Sequence, residues 1–197
     1  MRQSILLVAF LALSTASLRA APMTAGERQR LIAHFEMTGA WLESEVGGLS
    51  KAQLTFKMTP ESWSVMEVVE HLAIAEPQYW KNFQDSLAKP VQADFKPQAT
   101  DQAMLWYGID RTNRATTGEA RVPRGTYATV TDSLAAFRKL RAEMLQLART
   151  TEEDLRGRQY LTASQDLYQW FLMISTHSQR HILQIREVKA HKDFPKR

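Results

Sequence analysis

Apolar positions recur at intervals of three and four along four stretches of this chain, the period of helices that bury one face. The first stretch opens on Thr24 with Glu27 three residues on, a capping-box pattern, and continues through Leu31, Phe35, Thr38, Leu42, Val46 and Leu49. It predicts a helix over about 25–48, stopped by Gly47-Gly48. A connector containing Pro60 leads to Ser64, which repeats the capping pattern with Glu67 and precedes Val65, Val68, Leu72 and Ala75. Pro77 is expected to kink this second helix or end its first part. Leu134, Phe137, Leu140, Met144 and Leu147 predict a third helix over about 132–149. After a connector with Gly157, a last helix over about 164–190 carries an inward stripe of Leu167, Trp170, Ile174, His177, His181, Gln184 and Val188.

Between the second and third helices, residues 88–130 hold Pro90, Pro97, Pro123, Gly108, Gly118 and Gly125 with only scattered aromatics (Phe95, Trp106, Tyr107, Tyr127). This reads as a long excursion with one short helix at most, and the pattern does not say whether it roofs anything. No stretch alternates like a strand. The predicted fold is all-α, an antiparallel four-helix bundle, an architecture whose cofactor sites are built from side chains on facing helices.

Composition changes this picture at the N-terminus. Met1-Arg2-Gln3, the apolar run Ser4 to Ala16 and the small residues around Ala20 and Ala21 have the form of a secretory signal peptide, and the run is shorter than the roughly 20 residues that cross a bilayer. Residues 1–21 are therefore read as a signal and residues 22–197 as one bundle domain, exported to the periplasm or secreted, with no membrane contact after cleavage. Ser14-Thr15-Ala16 fits the small-residue cleavage rule better than a cut after Ala20, where Leu18 is poorly suited. The chain has no cysteine, which excludes disulfides, thiolate nucleophiles, lipidated cysteine and zinc-thiolate sites, so any metal must sit on nitrogen and oxygen. The net charge of +4 comes partly from Lys189, Lys192, Lys196 and Arg197 at the end of the chain; no basic cluster interleaved with aromatics suggests nucleic-acid binding.

His177 and His181 are four apart on the last helix, so both imidazoles share a face one turn apart, close enough to chelate one ion. The spacing alone is weak, since two partly buried histidines bonded to carbonyls or water would share it. The segment His177-Ser178-Gln179-Arg180-His181 puts serine where H-E-x-x-H peptidases carry their general base, which disfavours peptidase chemistry. Di-iron carboxylate sites are disfavoured too, because no glutamate lies three residues before either histidine. His71, in the middle of the second helix, offers a third nitrogen.

Trp63-Ser64, then His71-Leu72, then His177-x-x-x-His181 followed by Gln184, resembles the DinB/YfiT-like superfamily of four-helix bundles. The resemblance covers about 25–190 and takes in Pro123-x-Gly125 ahead of the third helix and Phe137-Arg138 with Arg141 inside it. It implies one divalent transition metal (zinc, nickel, iron or manganese) held by His71, His177 and His181, with water in the remaining positions. It implies a small-molecule substrate as well, since members of that superfamily include thiol transferases, a thiol-dependent isomerase and hydrolases. Three neutral imidazoles leave exchangeable positions on such an ion, where water or a thiol loses its proton near neutral pH.

Three readings stay open on sequence: a metal-dependent hydrolase or thiol transferase, a non-catalytic metal-binding or stress-associated bundle, and a metal-free interaction domain. Low-molecular-weight thiols are chiefly cytosolic, so export tilts the first reading towards hydrolysis. A homodimer is open as well, because a dimer stripe and a core stripe look alike. Glu67, Glu70, Glu76 and Gln184 are candidates to orient the imidazoles, although helix-surface or capping roles compete, most of all for Glu67. His34 is expected on the bundle flank and His191 in solvent; Trp63 and the Trp170-Phe171 pair read as core, and the dispersed methionines as core filler.

Overall fold

The computed structural model describes residues 21–92, 94–113 and 116–196, so the expected signal peptide lies outside the described residues except for its last position. The helices are α1 (Ala25–Val46), α2 (Lys51–Thr55), α3 (Val65–Leu87), α4 (Asp101–Ile109), α5 (Val130–Thr150) and α6 (Leu167–Lys189), with a 3-10 turn at Glu119–Arg121. Both expected capping boxes form: the hydroxyls of Thr24 and Ser64 accept from the third backbone N–H of α1 and α3, while Glu27 and Glu67 reach back to the cap. Pro77 lies on the exposed side of α3 and does not end it. No described helix is long and apolar enough to cross a membrane.

The bundle is made by α1, α3, α5 and α6, with α1 and α3 each packed against both α5 and α6. Contacts along each pair fix the directions. Arg138 meets Glu43 and Arg149 meets Glu36, so α1 and α5 are antiparallel; His71 meets His177 while Phe83 packs on Phe171, so α3 and α6 are antiparallel. In contrast, His34 bonds Ser175 and Lys189 bonds Glu45, so α1 and α6 run parallel. In the same way α3 and α5 run parallel, since Glu76 pairs with Arg141 at mid-length and Leu72 shares a cluster with Phe137 one turn before.

This topology requires a return. A helix the length of α3 spans about 35 Å, and the chain leaving its far end must climb the whole bundle before α5 can start beside its beginning. Within the segment that makes that climb, α4 is laid against the outside of α6. The approach is close: a Cβ on Gly108 of α4 would stand 2.8 Å from the Gln179 amide oxygen, 3.0 Å from Thr176 Cβ and 3.1 Å from the Thr176 carbonyl oxygen, so any larger residue would require its neighbours on α6 to shift. Covered by α1, α3 and α4, α6 is buried around most of its circumference, far more than the single stripe read from its sequence.

The core has two apolar clusters. One holds Phe35, Phe83, Met144 and Phe171; the other holds Leu42, Val68, Leu72, Phe137 and Ile185. Between them lies a polar layer. Arg141 donates from Nε and Nη2 to the two oxygens of Glu76 at 2.8 and 2.6 Å, and Ser178 bonds both partners. Phe35 and Phe137 flank the guanidinium, each ring centre 4.7 Å from Cζ. The buried face of α5 consequently runs through Leu134, Phe137, Arg141, Met144 and Ala148, leaving Leu140 and Leu147 half-buried.

Candidate metal centre

The three histidines meet where the second and third turns of α3 face the C-terminal half of α6. Buried His71 follows Val68 and Val69 around the inner side of α3, and His177 and His181 project from α6 one turn apart. His177 Nε2 is 3.3 Å from His71 Nε2 and 3.2 Å from His181 Nε2, and one nitrogen of each ring lies within 4.8 Å of the others. Two nitrogens about 2.0–2.1 Å from a tetrahedral ion stand roughly 3.3–3.4 Å apart, so both short edges have the right length.

The outer nitrogens decide which lone pairs face inward. His71 Nδ1 is 2.7 Å from the carbonyl oxygen of Arg121, which accepts only, so Nδ1 carries the proton and Nε2 is bare. With its amide oxygen 2.8 Å from His181 Nδ1, Gln184 does the same for the second ring. Buried His177 Nδ1 has no partner among the described residues. Three neutral rings therefore bring at most one proton, that of His177, to three converging nitrogens. At least one of the two short contacts sets lone pair against lone pair, and a cation between the rings removes that repulsion. The donor set fits a divalent metal.

All three imidazoles are neutral near pH 7. Burial is the main cause, pushing His177 well below the ordinary 6.5, lowering His71 and taking His181 down to about 3; the repulsion that protonated His181 and His71 would exert on a second charge lowers His177 further. His34 is lowered by burial as well. A histidine whose pKa falls on folding binds protons first in the unfolded chain, so its stabilising share is complete above about 6.5 and is lost as pH falls below that value. The melting temperature of the metal-free chain is thus expected to be level from about pH 8 to 7 and to fall steadily between about pH 7 and pH 5, above the range where carboxylates titrate. A flat profile across that interval in a calorimetric series would contradict this protonation scheme.

The histidines floor a pocket of about 480 Å³. Trp63 forms one wall, its ring 4.8 Å from His71 and 6.2 Å from His181, and so belongs to the site rather than to the core alone. Tyr79 stands edge-on to His177 at 5.2 Å, and burial raises its phenol to about 12. Tyr107, Arg111, Thr116, Thr117 and Arg121, all from the 88–130 excursion, form the roof of the pocket. Arg180 fastens this roof by donating to the backbone carbonyls of Tyr107 (3.2 Å), Asp110 and Asn113, and Arg111 forks onto Glu187 at 2.9 Å twice.

Of the four residues considered as imidazole partners, Gln184 alone touches one. Glu67 is spent on the cap of α3 and on Lys57. Glu70 accepts from the backbone N–H groups of Arg124 (3.0 Å) and Thr126 (2.7 Å). It thereby pins the Pro123-Arg124-Gly125 turn, where Gly125 has φ +75°, and with it the segment whose Arg121 carbonyl holds His71. Glu76 lies in the polar layer. His34 bonds Ser175 (2.7 Å) and Gln179 (3.2 Å) on α6 and stays outside the pocket, as does His191 at the helix end. Trp170 is half-buried between Tyr79 and Tyr160, and Phe171 is fully buried.

Tyr79 was readable in principle, because positions 71, 75 and 79 follow one another up a single helix face. Arg121 was not, since the excursion that carries it has no periodicity. The profile of the DinB superfamily matches residues 34–185, from α1 to α6. Among solved structures the chain is similar to YfiT from Bacillus subtilis, a probable metal-dependent hydrolase with an unusual four-helix bundle topology. The identity is 22% and the TM-score 0.57, over 85% of this chain and 88% of that one, a likeness of fold. A search of curated proteins gave no match.

Proposed function

The chain belongs to the DinB superfamily, and from that premise we propose that it is a metal-dependent hydrolase of a small substrate, with one divalent transition metal held by His71, His177 and His181. The observation that carries this reading is the convergence of three Nε2 atoms, two of them stripped of protons by the Arg121 carbonyl and by Gln184. A divalent ion on three imidazoles polarises a substrate carbonyl or phosphoryl oxygen and lowers the pKa of a coordinated water or thiol towards neutrality. Zinc, nickel, iron and manganese all suit such a donor set.

The chain's own residues supply orientation and a dry wall. The Arg121 carbonyl and Gln184 fix ring angles; Trp63 covers two of the rings from solvent; Tyr79, protonated at neutral pH, can donate a hydrogen bond to a group in the pocket. A pocket of this size takes a small molecule and excludes a folded polymer. The leader-like residues 1–21 support export to the periplasm or beyond, where hydrolysis is favoured over transfer of a cytosolic thiol. Thiol transfer is the second chemistry, and metal storage without turnover the alternative to both.

The test is to purify the exported chain, determine its metal content by elemental mass spectrometry, and assay it on ester, amide, phosphoester and thiol-conjugate panels. About one metal per chain and turnover that a chelator abolishes and the metal restores are expected. Stoichiometric metal with no turnover on any panel would favour storage, and no metal at all would sink the reading.

A further inference from the structure

Each arginine in the described residues can be followed to its partner. Most reach a carboxylate, as Arg111 reaches Glu187 within the pocket itself, and Arg180 is satisfied by three backbone carbonyls. Arg121 is different. Its Nη1 donates to the neutral amide oxygen of Gln78 at 3.0 Å, its Nε is buried with no partner, and among the described residues no carboxylate bonds it. The side chain lines the same pocket as the three histidines and lies over the Tyr79 ring, 5.6 Å from its centre.

A guanidinium is always charged, and burying one of its donors unpaired is costly unless a ligand completes it. The position is also rigid. The backbone carbonyl of Arg121 is the acceptor of His71 Nδ1, and the turn beyond it is clamped by Glu70, so the backbone that carries the Arg121 side chain is held at a fixed distance from the histidine cluster. We infer that the pocket takes a small substrate bearing an oxyanion, a carboxylate or a phosphate, gripped by the fork of Arg121 while its reacting group faces the histidines. The second half of that statement rests on the metal reading above; the anion site itself does not.

The two are separated by working without metal. Inorganic phosphate, acetate and neutral acetamide are titrated calorimetrically at low salt into the metal-free chain, after the chelator is dialysed away, using wild type, Arg121→Gln, Arg121→Lys and Arg124→Gln. Arg121→Gln keeps the backbone carbonyl and so keeps His71 in place. Arg124 is exposed and paired with Glu119, and its variant controls for binding to surface charge.

One anion per chain is expected in wild type and in Arg124→Gln, with affinity reduced about tenfold or more in Arg121→Gln, several-fold in Arg121→Lys, and no binding of acetamide. The preferred anion distinguishes phosphate from carboxylate as the source. The inference is overturned if neither anion binds wild type, or if both Arg121 variants, folded by their melting curves, bind as tightly as wild type. Should Arg121→Gln fail to fold, an unchanged affinity in Arg121→Lys would be enough to overturn it. Anion binding in a chain that takes no metal would leave this site standing and refute the proposed chemistry, and metal without anion the reverse.

Discussion

Glu76→Ala is expected to lower the melting temperature by roughly 10–15 °C. The reason lies in what remains. Arg141 is almost fully buried, its guanidinium is clasped between Phe35 and Phe137, and both of its strong bonds go to Glu76. Removing the carboxylate leaves a charge in the middle of the bundle with only Ser178 and a long 3.4 Å contact to Thr38, and breaking a buried pair from one side costs about 3–5 kcal/mol.

Removing both charges is a different experiment. Glu76→Leu with Arg141→Met takes the desolvation cost away with the attraction, and most of the lost stability is expected to return. The recovery is incomplete, because the hydroxyl of Ser178 loses both of its side-chain partners; Ser178→Ala added to the pair should supply the rest. Thermal unfolding of the single, double and triple variants checks the order. A Glu76→Ala chain that melts with wild type, or a double variant worse than the single, would show that the layer is not energetically coupled in this way.

That layer also shows what the sequence could and could not reveal. The four bundle helices were legible because each repeats apolar residues at helical spacing over several turns, and their caps are local. The five-residue α2 is too short to show a period, and α4 is legible only as a short interruption of a Pro- and Gly-rich tract. Arg141 sits in register with Leu134, Phe137 and Met144, yet a charged residue there reads as the helix turning its polar side outwards; only its partner on α3 makes it a core position.

The histidines were legible for a different reason. Four-residue spacing puts His177 and His181 on one face of a helix, and the place of His71 beside them is what the family resemblance implied. The surroundings were less so. Glu70 stands next to His71 and suggests a direct partner, but it is spent on a turn more than fifty residues away, while the atom that does hold His71 is a backbone carbonyl, which leaves no trace in residue identity. Gln184, one turn beyond His181 on the same helix, is the partner that local geometry could predict.

The same geometry sets the second large effect, on metal rather than on stability. His177 is the ring whose Nε2 is within hydrogen-bond distance of both others, and it is buried, so His177→Ala removes the apex of the triangle and leaves His71 and His181 bound to their own Nδ1 acceptors. Metal content is expected to fall from about one per chain to background, whereas Gln184→Ala, which only frees the His181 ring to rotate, should weaken affinity by about 10–100-fold.

Thermal unfolding gives an independent readout. Metal at about a hundredfold excess over its dissociation constant stabilises the folded chain by about 2.7 kcal/mol, a rise of roughly 5–10 °C for a domain of this size. His177→Ala should show none of that rise. Its metal-free form should nevertheless remain folded and lose stability less steeply than wild type below about pH 6.5, because one of the histidines that burial holds below the ordinary value is gone. A His177→Ala chain that keeps both its metal and its metal-dependent rise would place the ion elsewhere. One that loses the metal but keeps the full acid response would mean that His71, His181 and His34 carry the pH dependence without it.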